Sequence, residues 1–409
     1  MREYSVVTSD LELSRIAEEI ASASALALDL ETAKIGGGAS TDPLTGRIRL
    51  CSINTGKGRY VIDLYQTGPI YPIIDALAST NAVIVGQNLK YDQKWLLWHY
   101  GLEFKRVFDT FRASNVLYAG FPGKIEHDLW ALYKRELGLN PEVEELGGSD
   151  WDAPTLTKAQ LDYAADDIDK LLRLREVLKA KIIKEGLTKI AQLEFQAILP
   201  EASIELNGFY LDSEMWERRT ALDHARKRAA EAVLLDALPN PHDQLLLPGM
   251  PALANTSFNL ESPAQILKSL QLLGVKQTIK DADTRETYRD IIKDTKEMTL
   301  AMEAENFPIL DKLVEYRGYA QRVKSFGSKY LINIHPTSGR IHCSYYPYTD
   351  TGRYACSKPN LQQVPRTKDF RECFRAAPGR KLAICDWSNI EMRLVLSLIH
   401  ISEPTRRYA

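Results

Sequence analysis

The sequence has almost no net charge: 52 lysines and arginines stand against 54 aspartates and glutamates, leaving −2 over 409 residues. A global basic field is thereby excluded, and any contact with nucleic acid must be local. Cysteine is scarce. Cys51, Cys343, Cys356, Cys373 and Cys385 show no paired metal spacing, which fits reduced structural thiols in a cytosolic protein. The seven histidines are scattered and make no zinc site. No apolar run reaches the roughly 20 residues of a membrane span, and Met1-Arg2-Glu3 opens the chain with polar residues rather than a signal segment. The expected location is the cytoplasm, with no membrane partner. No internal repeat is visible, and a divisor of about 150 residues per domain predicts two or three domains.

What the sequence does have is an ordered set of carboxylates. Ala25-Leu26-Ala27-Leu28 alternates as a buried strand does, and the period of two turns Asp29 and Glu31 to one face while Leu28 and Leu30 face the other. The second station, Asn88-Leu89-Lys90-Tyr91-Asp92, follows the apolar run Val83-Ile84-Val85 and precedes a helical pattern, so Asp92 falls near a helix start. The third is Tyr163-Ala164-Ala165-Asp166-Asp167, where helical spacing puts Tyr163 and Asp167 on one side. Singly, each has an ordinary reading: a solvated strand end, a helix cap, a decorated helix face. Together, each station is tied to the element that would aim it, and the set reads as chemistry.

Phosphodiester hydrolysis at neutral pH needs a nucleophile made from water and relief of charge on the departing oxygen, and two Mg²⁺ ions about 3.5–4 Å apart provide both. Mg²⁺ takes oxygen ligands and keeps several waters, so Asp29, Glu31, Asp92 and Asp167 form a sufficient cage. Mn²⁺ is admitted by the same donors. Tyr163 is placed to hydrogen-bond the attacking water without carrying charge.

Asp-Leu-Glu-Thr at 29 to 32, Gly-Gln-Asn-Leu-Lys-Tyr-Asp at 86 to 92 and Tyr-Ala-Ala-Asp-Asp at 163 to 167 resemble the three motifs of the DEDDy 3′-5′ exonucleases. The resemblance implies a ribonuclease-H-like mixed-sheet fold in which Asp29, Glu31 and Asp167 hold one metal. It also implies that Asp29 shares the second, which Asp92 reaches through water. Asn88 is expected to contact nucleic acid. Phe108-Asp109-Thr110 resembles a further family feature, with Asp109 read as structural.

From about Gln192 the pattern turns to long helices, interrupted by a proline-rich stretch from Leu238 to Pro263. Near the end, Thr351-Gly352-Arg353, Pro359 to Pro365 and the cluster Arg366, Lys368, Arg371 and Arg375 fit phosphate and groove contacts. Lys381 to Cys385 reads as a buried strand delivering Asp386. These segments, with Asp386-Trp387-Ser388-Asn389-Ile390-Glu391-Met392-Arg393, are similar to family A DNA polymerases. That family usually has Tyr where Trp387 stands and Gln where Asn389 stands. The resemblance implies that Asp386 is a palm metal ligand, that Glu391 excludes ribose 2′-hydroxyls, and that Arg353 contacts the primer-template, with Asn360, Gln363 and Arg366 as further nucleic-acid contacts.

The expected class is α/β, in four parts: a DEDDy exonuclease domain at 1–187, a junction and helical thumb-like region at 188–330, a partial α+β palm at 331–395, and a tail at 396–409. That tail resembles the translation of a sequencing adapter, so the gene is expected to be truncated there. A monomer is expected that hydrolyses a single-stranded DNA 3′ end but does not extend a primer. The competing readings are a stand-alone exoribonuclease of the ribonuclease D type, against which the palm-like segments argue, and a non-catalytic DNA-binding module.

Overall fold

The computed structural model describes residues 3–36, 39–140, 146–242, 258–280, 285–349 and 352–402. Thr351, the middle of the proline-rich stretch and the tail beyond Ser402 lie outside the described residues. The first half is built on a six-stranded sheet of β1 (Ser5–Val7), β2 (Ala25–Lys34), β3 (Gly46–Asn54), β4 (Arg59–Asp63), β5 (Val83–Gly86) and β6 (Val107–Asp109), in the order β1-β4-β3-β2-β5-β6. β3 runs against both its neighbours, while the β1/β4, β2/β5 and β5/β6 pairs are parallel. This is the mixed sheet expected from the sequence.

The alternation in β2 sorts its side chains as the period of two requires. Leu26, Leu28 and Leu30 enter one core with Ile16 and Ile20 of the Asp10–Ser22 helix and with Trp95 and Leu96 of the Lys90–Tyr100 helix. Each such side chain contributes about 1.5–3 kcal/mol by leaving water. Ala27 and Ala33 lie in the cores of the opposite face, against helices Lys158–Asp169 and Leu171–Lys184. Small residues meet there: Ala27, Ala33, Ala164 and Ala165 are fully buried, and without bulk between them helix and strand approach closely. The Lys158–Asp169 helix starts at a capping box in which Thr157 and Gln160 satisfy each other's end of the first turn. Arg49, wholly buried, donates to Asp63 (3.0 Å) and the Ala153 carbonyl (2.7 Å) and stacks 3.8 Å from the Tyr65 ring, fixing the segment that carries Trp151 to the sheet.

Packing of the first half runs across residue 187: Ala191 and Phe195 join one of its cores and Ile198 another. The second half pairs a 25-residue helix, Ser213–Ala237, with Ile309–Phe326. Below them Trp216 stacks on Tyr330 at 4.8 Å, and Phe370 packs edge-on to Trp216. Two short antiparallel pairs follow, Phe209–Tyr210 with Arg340–Ile341 and Ser344–Tyr346 with Ala355–Ser357.

The Ile198–Asn207 helix ties the halves together. Glu201 takes a bidentate contact from Arg112 (2.6 and 3.1 Å) and a hydrogen bond from the Tyr354 hydroxyl (2.6 Å). One turn on, Glu205 accepts from Lys90 (2.8 Å) and the Tyr345 amide (2.8 Å) and forms an ion pair with Lys94 (2.9 Å). Both carboxylates are buried.

One sequence reading is overturned. Lys381 to Cys385 is not a buried strand: it has no regular structure and is exposed, with Ile384 84% accessible. A strand is stable only where neighbours satisfy its backbone groups, and among the described residues none pairs with this segment.

Candidate active site

Three elements converge on one cleft. β2 brings Asp29 and Glu31, and a bulge between Glu31 and Thr32 shifts the register there. The Lys158–Asp169 helix, seated close on the alanine face, brings Tyr163 and Asp167. Carboxylate oxygens of Asp29, Glu31 and Asp167 all lie within 4.8 Å of one another. Two like charges at that separation repel by roughly 3.5 kcal/mol at an effective dielectric constant of about 20. Burial, with little else, pushes the Asp29 carboxyl up to about 7. Burial first, then Asp29, Asp167 and Asp92, holds Glu31 well above the usual carboxylate range. Asp167 is raised by burial and then by Asp29 and Asp166. Such a cluster is stable as anions only around a cation, and an all-oxygen donor set suits a hard divalent one.

Asp92 stands one layer back, in the first turn of the Lys90–Tyr100 helix, 2% exposed. Its Oδ1 has no hydrogen-bond partner, and burial followed by the Asp29 charge raises its carboxyl. An orphaned buried carboxylate oxygen beside three others is the mark of a site meant to hold positive charge or its water. The turn that delivers it is fixed from behind: Asp109, fully buried, accepts from the amides of Asn88 (3.1 Å), Leu89 (2.9 Å), Phe111 (2.9 Å) and Arg112 (3.2 Å). Asn88 adopts φ 57°, which asparagine tolerates better than most residues. Gly86 is required just before it, because a Cβ there would sit 2.4 Å from the Leu89 side chain and 2.9 Å from the Leu28 carbonyl.

Tyr163 hydrogen-bonds Asp167, and burial followed by the charges of Asp167, Glu31 and Asp29 pushes its phenol far up. It is therefore a proton-bearing donor at any physiological pH. Its hydroxyl sits against Gly147, where a Cβ would come within 3.3 Å, and its ring lies 6.2 Å from that of Trp151. The cleft, about 290 Å³, is lined also by Thr32, Ser40, Thr41, Tyr91 and Ser149. A larger cleft of about 710 Å³ at Arg47, Tyr65, Tyr71 and His99 holds none of the acidic stations. Sequence reasoning missed the lining residues. Thr32 and Tyr91 sit inside the quoted motifs and were within reach of it, whereas Ser40, Thr41 and Ser149 are brought in by loops.

The second half brings fewer residues together. Arg353 and Glu391 form an exposed ion pair at 2.6 Å. Asn360 caps its own short turn by accepting from the Gln362 amide at 3.0 Å, and Gln363 and Arg366 are exposed. Asp386 is exposed on an irregular segment, and among the described residues the only cluster of three or more metal-capable side chains is Asp29, Glu31 and Asp167.

Comparison with known proteins follows the same division. Residues 4–183 match a family described as 3′-5′ exonuclease, and residues 248–405 match DNA polymerase family A. The chain is 30% identical over 394 residues to DNA polymerase I of Rhizobium leguminosarum, an alignment covering 90% of the chain and 36% of that protein. To DNA polymerase I of Aquifex aeolicus it is 26% identical over 418 residues, covering 97% of the chain and 64% of the relative. It superimposes on the POL domain of Pol1 from M. smegmatis, solved with DNA primer-template and dNTP, with a TM-score of 0.68 at 20% identity, covering 97% of this chain and 63% of that one. The fold and the acidic cleft thus define a protein with a 3′-5′ exonuclease domain. Over residues 248–405 the chain matches the family A DNA polymerases, and it spans 36% of the length of the first of these two relatives and 64% of the second. Among the described residues, no helix is long and apolar enough to cross a membrane.

Proposed function

We propose that this chain hydrolyses the 3′ end of single-stranded DNA, the proofreading reaction of a larger polymerase, at the cleft of Asp29, Glu31, Asp92, Tyr163 and Asp167. The observation that carries the reading is the trio of carboxylates within 4.8 Å beside a protonated phenol. Asp29, Glu31 and Asp167 would hold one divalent ion, Mg²⁺ by their hardness, with Asp29 facing a second and Asp92 backing it. When bound, such ions supply a nucleophile from water near neutral pH and charge relief at the leaving oxygen. The protein's own part is positioning. The Tyr163 hydroxyl, its proton on Asp167, presents its oxygen to the attacking water and aligns it, while Ser40 and Thr41 offer hydroxyls to the terminal sugar and phosphate. The polar lining and modest volume favour a strand end over a duplex.

Templated primer extension is proposed to be absent from this chain, because Asp386 is exposed and belongs to no cluster of three or more metal-capable side chains among the described residues. Arg353, Asn360, Gln363 and Arg366 are proposed as contacts to primer-template DNA, with Glu391 near the sugar. Residues 1–187, 188–330 and 331–395 are proposed as exonuclease, junction with thumb, and palm, in a cytoplasmic monomer. The test is nucleotide release from 3′-labelled single-stranded DNA with Mg²⁺, set against Asp29→Ala, Asp167→Ala and an RNA strand of the same sequence. Metal-dependent release lost in both variants supports the proposal; no release from folded wild-type chain refutes it.

A further inference from the structure

The rim of the cleft is held from the other half of the molecule. Ser40 and Thr41 line the cleft and belong to the loop that joins β2 to β3. Inside the nuclease half, the described residues fix that rim through Thr32 Oγ1, which donates to the Ser40 carbonyl (2.5 Å), and through the Tyr91 hydroxyl, 2.6 Å from the same Thr32 oxygen and 3.5 Å from the same carbonyl. Asp42 closes the loop on itself. Its carboxylate accepts from the Leu44 amide (3.0 Å) and the Thr45 hydroxyl (2.7 Å), and its carbonyl accepts from the Gly46 amide (2.8 Å). Among the described residues, the remaining contact of that carboxylate comes from 293 residues away: His335 Nε2 lies 2.8 Å from Asp42 Oδ2.

The imidazole is held as firmly as the loop. The Thr337 amide donates to His335 Nδ1 (3.2 Å), which makes Nδ1 an acceptor and leaves the proton on Nε2, facing Asp42. The His335 backbone closes a turn with Arg340 (2.8 Å) and Gly339 (2.8 Å), and the Arg340 guanidinium donates to the Asn207 carbonyl (2.9 Å) at the end of the junction helix. The strut therefore runs from the junction helix through a closed turn and one ring to the cleft rim, with both partners half-buried, at 18% and 27% exposure.

We propose that His335 is a positioning residue of the nuclease site: through Asp42 it holds Ser40 and Thr41 over the carboxylates, so that the polymerase half sets how tightly the nuclease cleft grips a strand end. The inference rests on the nuclease reading of that cleft. It touches neither the metal ligands nor Tyr163, so the effect falls on substrate capture rather than on the chemical step.

The experiment uses the whole chain. His335→Ala is expected to raise KM for single-stranded DNA about five-fold with kcat within about two-fold, the signature of lost uniform binding. His335→Gln, whose amide can still donate to Asp42, is expected to restore KM. Asp42→Asn presents a donor to a donor and is expected to match His335→Ala, with the double variant no worse than either. Hydrogen exchange in the same samples is expected to be faster at Leu44, Thr45 and Gly46 in His335→Ala, with an unchanged melting temperature showing that the fold is intact. Unchanged exchange in that segment would overturn the strut, and faster exchange with an unchanged KM would overturn its role in capture. A wild-type chain without nuclease activity would sink the proposed function and with it the capture role, while the exchange pattern still decides whether the strut exists.

Discussion

Replacing Asp29 by Asn should make the metal-free protein more stable while destroying its nuclease activity. Burial moves the Asp29 carboxyl from an ordinary 3.8 to about 7. A folded-state value raised above the unfolded one means that the native state binds the proton more tightly. The contribution is therefore fully present below about pH 4 and is lost as pH rises through 7. At pH 8 the loss has a ceiling of about 4 kcal/mol, three units at 1.36 kcal/mol each. Asp29 opens onto the cleft, and water reaching it reduces the effect to roughly 1–2 kcal/mol. Asn keeps the shape and removes the charge. In EDTA at pH 8 the variant should melt about 2–6 °C above wild type. At pH 5 the difference should shrink, since the wild-type carboxyl is then protonated. Saturating Mg²⁺ should raise the wild-type melting temperature and leave Asp29→Asn nearly unmoved. Calorimetry at the two pH values with and without metal reads all of this. A variant less stable than wild type in EDTA at pH 8 would mean that the site does not disfavour the Asp29 anion, and the argument for a cation site would fail.

Tyr163→Phe keeps the ring against Trp151 but removes the donor, so kcat should fall about 10²-fold with the Mg²⁺-dependent melting shift intact, measured by single-turnover cleavage. Glu201→Ala removes the bidentate partner of a buried guanidinium that keeps Glu194 (3.6 Å) and Asp109 (4.0 Å) nearby, and should cost about 1.5–3 kcal/mol in urea unfolding. Asp109→Ala removes the acceptor of four backbone amides, which should lower stability by about 2 kcal/mol or more and slow cleavage by loosening the turn ahead of Asp92.

The sheet and the heart of the site were legible because both rest on local periodicity. Asp29 and Glu31 follow from an alternation that also sorts Leu28 and Leu30 from Ala27, and Tyr163 and Asp167 follow from helical spacing on an alanine-faced helix. Asp109 reads as structural in the sequence, and its four amide contacts bear that out. Lys381 to Cys385 failed for the opposite reason. Its apolar composition suits a strand, but a strand is a property of a pair, and no partner is described beside it. The rim at Ser40 and Thr41, the buried Arg49 and the Glu201 and Glu205 contacts were illegible because each depends on residues far apart in sequence meeting in space. Composition at those positions reads only as polar loop or charged helix.

The order in which the chain is synthesised gives the Ile198–Asn207 helix one more consequence. Lys90, Lys94 and Arg112 belong to the nuclease half, yet the carboxylates they face emerge about a hundred residues later, at Glu201 and Glu205. Lys90 also donates to the Tyr345 carbonyl, 255 residues downstream. Domains tend to fold from the N-terminus as they leave the ribosome. A nascent nuclease half would therefore carry three cations on a surface due to be buried, and it could complete that face only when the junction helix arrives. Translation pausing between residues 112 and 201 would prolong the life of that intermediate.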